Sequence, residues 1–174
     1  MLKVGIDSIV MKEFLLETQQ TISKPRDEVF KFFSNAENLE FLTPDFLNFN
    51  ILTSLPIEMH VGAEIEYRLK LYGVPIRWKS LITAWHPYES FVDEQIKGPY
   101  AKWIHTHIFE SIGQTCLVKD RVNYKVLGDS LTNKVFVSSN LKTIFKYRKK
   151  RLMEYFGETY GKENDNNAVN ISVA

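Results

Sequence analysis

The sequence is poor in cysteine: Cys116 is the only one among 174 residues. A lone thiol excludes an internal disulfide, and with no signal-peptide pattern it points to a reducing cytoplasm. Residues 1–10 are mildly apolar but too short for a signal h-region with its cleavage site. No apolar run can span a bilayer, so no integral membrane segment is expected. Neither sign of charge is in excess, with 22 Lys and Arg against 21 Asp and Glu and a net charge of +1. No global field therefore draws the chain to nucleic acid or to a membrane surface, and no nucleic-acid partner is expected. GxGxxG and the P-loop pattern are both missing, which argues against a nucleotide cofactor; no cofactor is expected. Internal repeats and inter-domain linkers are missing too. What remains is one domain's length, with 44% hydrophobic and 25% charged residues, enough to bury a core.

The pattern along the chain changes twice. Residues 13–23 read as a strand. Ser23 is a candidate N-cap for a helix that Pro25, Asp27 and Glu28 suit, with Val29, Phe30 and Phe33 on its apolar face. Residues 36–42 read as a second short helix, stopped by Thr43-Pro44. Period-two alternation then predicts strands over 46–54, 64–72, 75–85, 90–97, 101–110 and 115–126, joined by short antiparallel connections. Residues 131–156 return to helical spacing, with Val137, Leu141, Ile144, Phe145, Arg148, Leu152, Tyr155 and Phe156 along one side. The predicted class is α+β. A curved antiparallel sheet of six to seven strands wraps a long C-terminal helix, with two short helices after the first strand. That packing leaves a cavity between helix and sheet. Residues 11–160 form the single domain, 1–10 an extension and 161–174 a flexible, Asn-rich tail.

The stretch FVDEQIKGPYAKWIHTHIF, residues 91–109, carries Asp93, Gln95, His105 and His107 on one face of two strands. A turn centred on 98–100 sets Gln95 opposite Trp103, Asp93 opposite His105 and Phe91 opposite His107. A turn centred on Ile112-Gly113 sets His107 opposite Val118, His105 opposite Asp120 and Trp103 opposite Val122. The preceding turn sets Ile82 beside Asp93 and Ser80 beside Gln95. One face then holds Trp78, Phe91, Trp103, Phe109, Cys116 and Tyr124 together with the polar stripe. The other holds Arg77, Lys79, Trp85, Lys102, Thr106, Lys119 and Arg121. The second is the solvent side, because a one-residue slip would bury lysines. The polar stripe therefore points inward, where its members must be paired.

Three readings of that stripe stay open. Asp93, His105 and Asp120 form a structural network that fixes strand register; or they floor a pocket and bind a ligand's polar head; or His105 with Asp93 or Asp120 performs acid–base catalysis. His105-Thr106-His107 has H-x-H spacing, but without HExxH or a cysteine pair a buried, satisfied histidine pair is preferred and no metal is expected. Cys116 reads as a buried small hydrophobe. The basic run at 146–151 reads as the exposed side of the last helix.

FVDEQIKGPYAKWIHTHIF, the following DRVNYKVLG and the earlier PRDEVFKFFSNAENLEFLTP resemble bacterial members of the SRPBCC superfamily, the START-like or birch-pollen-allergen-like helix-grip fold. The likeness covers 11–156 and is nearest to small proteins labelled polyketide cyclase/dehydrase-like or coenzyme Q-binding-like. It implies a pocket for a small hydrophobic or aromatic ligand of lipid, quinone or polyketide type. The expected ligand contacts are Tyr67, Trp78, Phe91, Asp93, Gln95, Trp103, His105, His107, Phe109, Tyr124, Leu141 and Phe145. A cyclase or dehydratase using His105 with Asp93 or Asp120 is the enzymatic alternative. A protein-interaction module with a vestigial cavity is the third, for which outward Trp85 is a hint. The oligomeric expectation is at most a weak homodimer.

Overall fold

The computed structural model describes residues 11–126, 136–159 and 169–174. The chain opens with β1 (Glu13–Ile22), which buries Leu16, Thr18, Gln20 and Ile22 on alternate positions. Next comes α1 (Arg26–Phe33), whose apolar face is Val29, Phe30, Phe32 and Phe33. Pro25, rather than Ser23, occupies the cap position, and no side chain caps the helix. The Ser23 backbone N–H instead donates to the Glu158 carboxylate at 2.5 Å. The second helix, α2, is a single turn (Asn38–Phe41).

The strand expected over 46–54 is mostly absent. Pro44 leads into a helical turn at Asp45–Leu47, and Asn48 leaves it with φ 45°, a left-handed conformation that asparagine tolerates. Only β2 (Asn50–Ile51) pairs. The meander follows as β3 (Glu64–Leu71), β4 (Val74–His86), β5 (Ser90–Lys97), β6 (Lys102–Ile112) and β7 (Thr115–Lys125). The long helix, α3 (Ser138–Tyr155), comes after it; positions 131–135 of the expected helix lie outside the described residues. Within the expected tail, Val169 is buried and β8 (Asn170–Val173) pairs antiparallel with β1. Residues 161–168 lie outside the described residues. Among the described residues the antiparallel sheet has eight strands, in the order β2-β3-β4-β5-β6-β7-β1-β8.

Two registers bear on the site. Between β5 and β6, Phe91 faces His107 and Asp93 faces His105, as expected. Between β6 and β7 the partners differ by two residues: His107 faces Asp120, His105 faces Val122 and Trp103 faces Tyr124. Ile112 pairs with Thr115, so the turn is Gly113-Gln114, with Gly113 at φ 60° in the first turn position. Moving a turn centre by one residue moves every partner by two. The inward face is therefore unchanged.

A second correction concerns Trp85. Thr83 is an extra residue in β4, between Ile82 paired to Asp93 and Ala84 paired to Val92. This bulge reverses the alternation beyond it. Trp85 turns inward and packs on Phe30 and Phe91, with ring centroids 5.3 Å apart in both pairs. The hint of an exposed docking aromatic is thereby removed.

The interior splits into two apolar clusters. One gathers α1 with Ile82, Phe91, Phe109, Val118 and Leu152. The other joins Phe14, Leu16, Trp78, Trp103, Val122, Tyr124, Leu141 and Phe145. Along β6 the inward residues run Trp103, His105, His107, Phe109, which sets the two histidines between the clusters. In α3 the buried residues include Leu141, Phe145, Lys149 and Leu152, whereas Tyr155, expected inward, is 55% exposed. Lys149 belongs to the basic run read as the exposed side of the helix. It is buried because it continues the i, i+4 stripe set by Leu141 and Phe145.

Candidate functional site

The polar stripe forms one compact unit. His105 Nε2 lies 2.9 Å from Asp120 Oδ1, and His107 Nε2 lies 3.1 Å from Asp93 Oδ2. His107 Nδ1 is also 2.9 Å from Asp120 Oδ1, though off the hydrogen-bonding direction. His105 Nδ1 stands 3.6 Å from Asp93 Oδ2. The two imidazoles are 3.8 Å apart between centroids, and Phe91 stacks on His107 at 4.2 Å. Both histidines and Asp120 are buried, and the Asp93 side chain is 19% exposed.

Charge in this unit follows from competition between burial and partners. Burial opposes ionisation of Asp120, but the His105 hydrogen bond and the close His107 imidazole outweigh it and hold the carboxyl well below its ordinary range. Asp93 is lowered the same way, against burial, by the His107 bond and the charges of both histidines. Burial would keep His107 neutral, yet Asp120 and Asp93 raise it. His105 is lowered by burial and by the neighbouring His107. The cluster therefore favours two carboxylates and places a shared proton on His107 rather than on His105.

A cavity of about 160 Å³ lies against this unit, between the sheet and α3 and under α1 and α2. Its walls are Phe33, Leu42, Leu47, Ile65, Leu69, Trp78, Ile82, Phe91, Trp103, Leu141 and Phe145, with Tyr67, Asp93, His105, His107 and Arg148 as polar members. Trp78 Nε1–H donates to Ser80 Oγ at 3.1 Å, and the Tyr67 phenol bonds the same serine. The Tyr67 hydroxyl is raised by burial and by the charge of Asp93, so it stays protonated.

Nine of the expected contact residues line this cavity: Tyr67, Trp78, Phe91, Asp93, Trp103, His105, His107, Leu141 and Phe145. Three sit elsewhere. Gln95 is spent on the β5–β6 turn, where its amide donates to the Tyr100 carbonyl at 2.7 Å and accepts from the Tyr100 N–H at 3.2 Å. Phe109 packs on Phe30 and Phe33, and Tyr124 on Phe14. Asp120 is behind the histidines, not on the cavity surface. Sequence reasoning missed the contributions of α1, α2, Leu47 and Phe49. Their short apolar runs gave no sign of which face would close the cavity. Arg148 was placed on the inward side of the helix but given no role. The Cys116 thiol is pushed up to about 11 by burial, in keeping with a packing role rather than a nucleophile.

Asp93, His105 and His107 each present one donor atom within 4.8 Å of the others. A divalent cation there would displace the proton between His107 and Asp93.

A long helix gripped by an antiparallel sheet, with the interior opened into a cavity, defines a helix-grip protein. No protein-family model and no curated protein matches the chain. Solved structures do. Ginseng major latex-like protein 151 from Panax ginseng is 16% identical, with 83% of this chain and 98% of that one covered and a TM-score of 0.63. The Zhui aromatase/cyclase from a Streptomyces species is 10% identical over 83% and 94%, with a TM-score of 0.65. A protein from Thermus thermophilus is 14% identical over 81% and 98%, with a TM-score of 0.62. These neighbours are SRPBCC-type helix-grip proteins, and at such identities the likeness speaks for the fold alone. No helix among the described residues is long and apolar enough to cross a membrane.

Proposed function

We propose that this chain binds a small apolar or aromatic molecule in the cavity between the sheet and α3. The observation that carries the reading is a cavity with mostly aromatic and aliphatic walls and a few polar side chains among them. An engineered apolar cavity of about 150 Å³ accepts benzene, so the rigid part of the ligand is of one-ring size. Tyr67, Trp78 and Trp103 flank the ligand body, and the polar members of the lining meet its polar end. Native mass spectrometry and solvent extraction of protein purified from its host test this. A stoichiometric small molecule, released when Leu141→Trp fills the cavity, is the expected result. A chain that purifies empty and shows no tryptophan fluorescence change with any apolar probe would overturn it.

A second reading rests on His105. Burial and the neighbouring His107 favour its neutral form, Asp120 holds one ring nitrogen, and the residue lines the cavity. That is the arrangement of a general base. Consumption of the extracted molecule by the wild type, abolished in His105→Gln with binding retained, would establish an enzyme of the cyclase or dehydratase type.

A further inference from the structure

Arg148 is a cavity residue outside the hydrogen bonds of the histidine cluster. It projects from α3, one turn beyond Phe145, and lines the cavity. Its Nε is buried and has no hydrogen-bond partner. Among the described residues no carboxylate lies within ion-pairing distance of it. Its guanidinium carbon stands 5.7 Å from the Phe145 ring centroid, and its charge reaches Asp93 and Tyr67 across the cavity.

Several other hydrogen-bonding groups around the space are already engaged. Asn38 donates to the Phe32 carbonyl at 2.7 Å, Thr43 to the Leu39 carbonyl at 2.6 Å, and Asn35 accepts from the Glu37 N–H at 3.0 Å. Asp93 is taken up by His107 at 3.1 Å. A partly buried guanidinium with an unsatisfied N–H is costly unless it meets an acceptor, and its planar fork matches a carboxylate.

We propose that the ligand of this cavity carries an anionic head, a carboxylate on a one-ring or short aliphatic body, and that Arg148 holds that head. This rests on the cavity being a binding site, and it narrows the ligand from apolar molecules in general to small organic acids. The ring lies against Tyr67, Trp78 and Trp103, and the carboxylate faces α3, away from Asp93.

Matched acids and amides separate the two ideas. Benzoate against benzamide, and cinnamate against cinnamamide, are titrated by ligand-detected NMR into the wild type and Arg148→Gln. Thermal melts show that the variant is folded. The acids are expected to bind the wild type at least about tenfold more tightly than the amides. Arg148→Gln should lose that preference while its amide affinity stays unchanged, and Arg148→Lys should keep part of it. Amide binding with no preference for the acid, or a preference that survives Arg148→Gln, would overturn the anionic head and leave the cavity reading standing. Binding of neither acid nor amide would overturn both.

Discussion

Replacing Asp120 with asparagine removes a charge and keeps the shape of the side chain. Asp120 Oδ1 lies 2.9 Å from both His105 Nε2 and His107 Nδ1, and its side chain is only 10% exposed. A hydrogen bond to a charged group contributes about 1.5–3 kcal/mol, and breaking a buried pair costs about 3–5 kcal/mol. Two features lower the figure here. Asparagine still offers an acceptor to one imidazole, and Asp93 still partners His107. A loss of about 2–4 kcal/mol at neutral pH follows. At roughly 2–4 °C per kcal/mol for a chain of this length, the melting temperature should fall by about 5–15 °C. The loss should also depend on pH. Asp120 has a folded pKa below its unfolded one, so its stabilisation is complete above the unfolded value, near 3.9, and disappears as pH falls through the folded value. Urea melts of both proteins from pH 2 to 8 should therefore show a gap that is constant above about pH 4 and narrows below it. A loss under about 1 kcal/mol, or one that stays constant across that range, would refute the picture of a charge-bearing junction.

The wild type should lose stability steeply in acid, as Asp93 and Asp120 become protonated. Near neutrality its stability should change little. The raised His107 contributes stability below its unfolded pKa and loses it as pH rises through its folded one, while the lowered His105 works in the opposite direction. Calorimetric melts across pH 3–9 show both limbs. Gly98→Ala should cost about 1–2 kcal/mol, because its Cβ would come within 2.3 Å of Gln95 Oε1 and disturb both bonds to Tyr100; combined with Gln95→Ala the two losses should fall short of additive in denaturant melts. Trp85→Ala should cost about 2–4 kcal/mol, whereas a tryptophan on the solvent face would cost well under about 1 kcal/mol; equilibrium unfolding decides.

Period two and period 3.6 were strong enough to place the meander and the long helix, because each strand buries one face and each slip would bury a lysine. Asp93, His105 and His107 were legible for the same reason. Asp120 was read on the right face but opposite the wrong histidine, since sequence alone could not say whether Gly113 opens or closes its turn. Trp85 was misplaced because a bulge leaves no compositional mark at Thr83. Gln95 shared the inward parity of Asp93, and nothing in its identity showed that the nearby turn would claim its amide. For β8, the alternation of Val169, Ile171 and Val173 was present but brief, and it lay at the end of a run of asparagines. Arg148 shows the limit of pattern reading. A cation at an inward helix position looks the same whether it is meant for solvent, for a carboxylate of the chain or for a ligand.

The two ends of the sheet are its shortest strands, two residues in β2 and four in β8. Without β8, the edge between Phe14 and Glu17 would present free N–H and C=O groups on a ten-residue strand. Such an edge is a template for a second copy of itself. Val169, buried beside that strand, ties the cover down. β8 covers that stretch of edge, and a chain shortened before Val169 is expected to reveal it through concentration-dependent strand pairing.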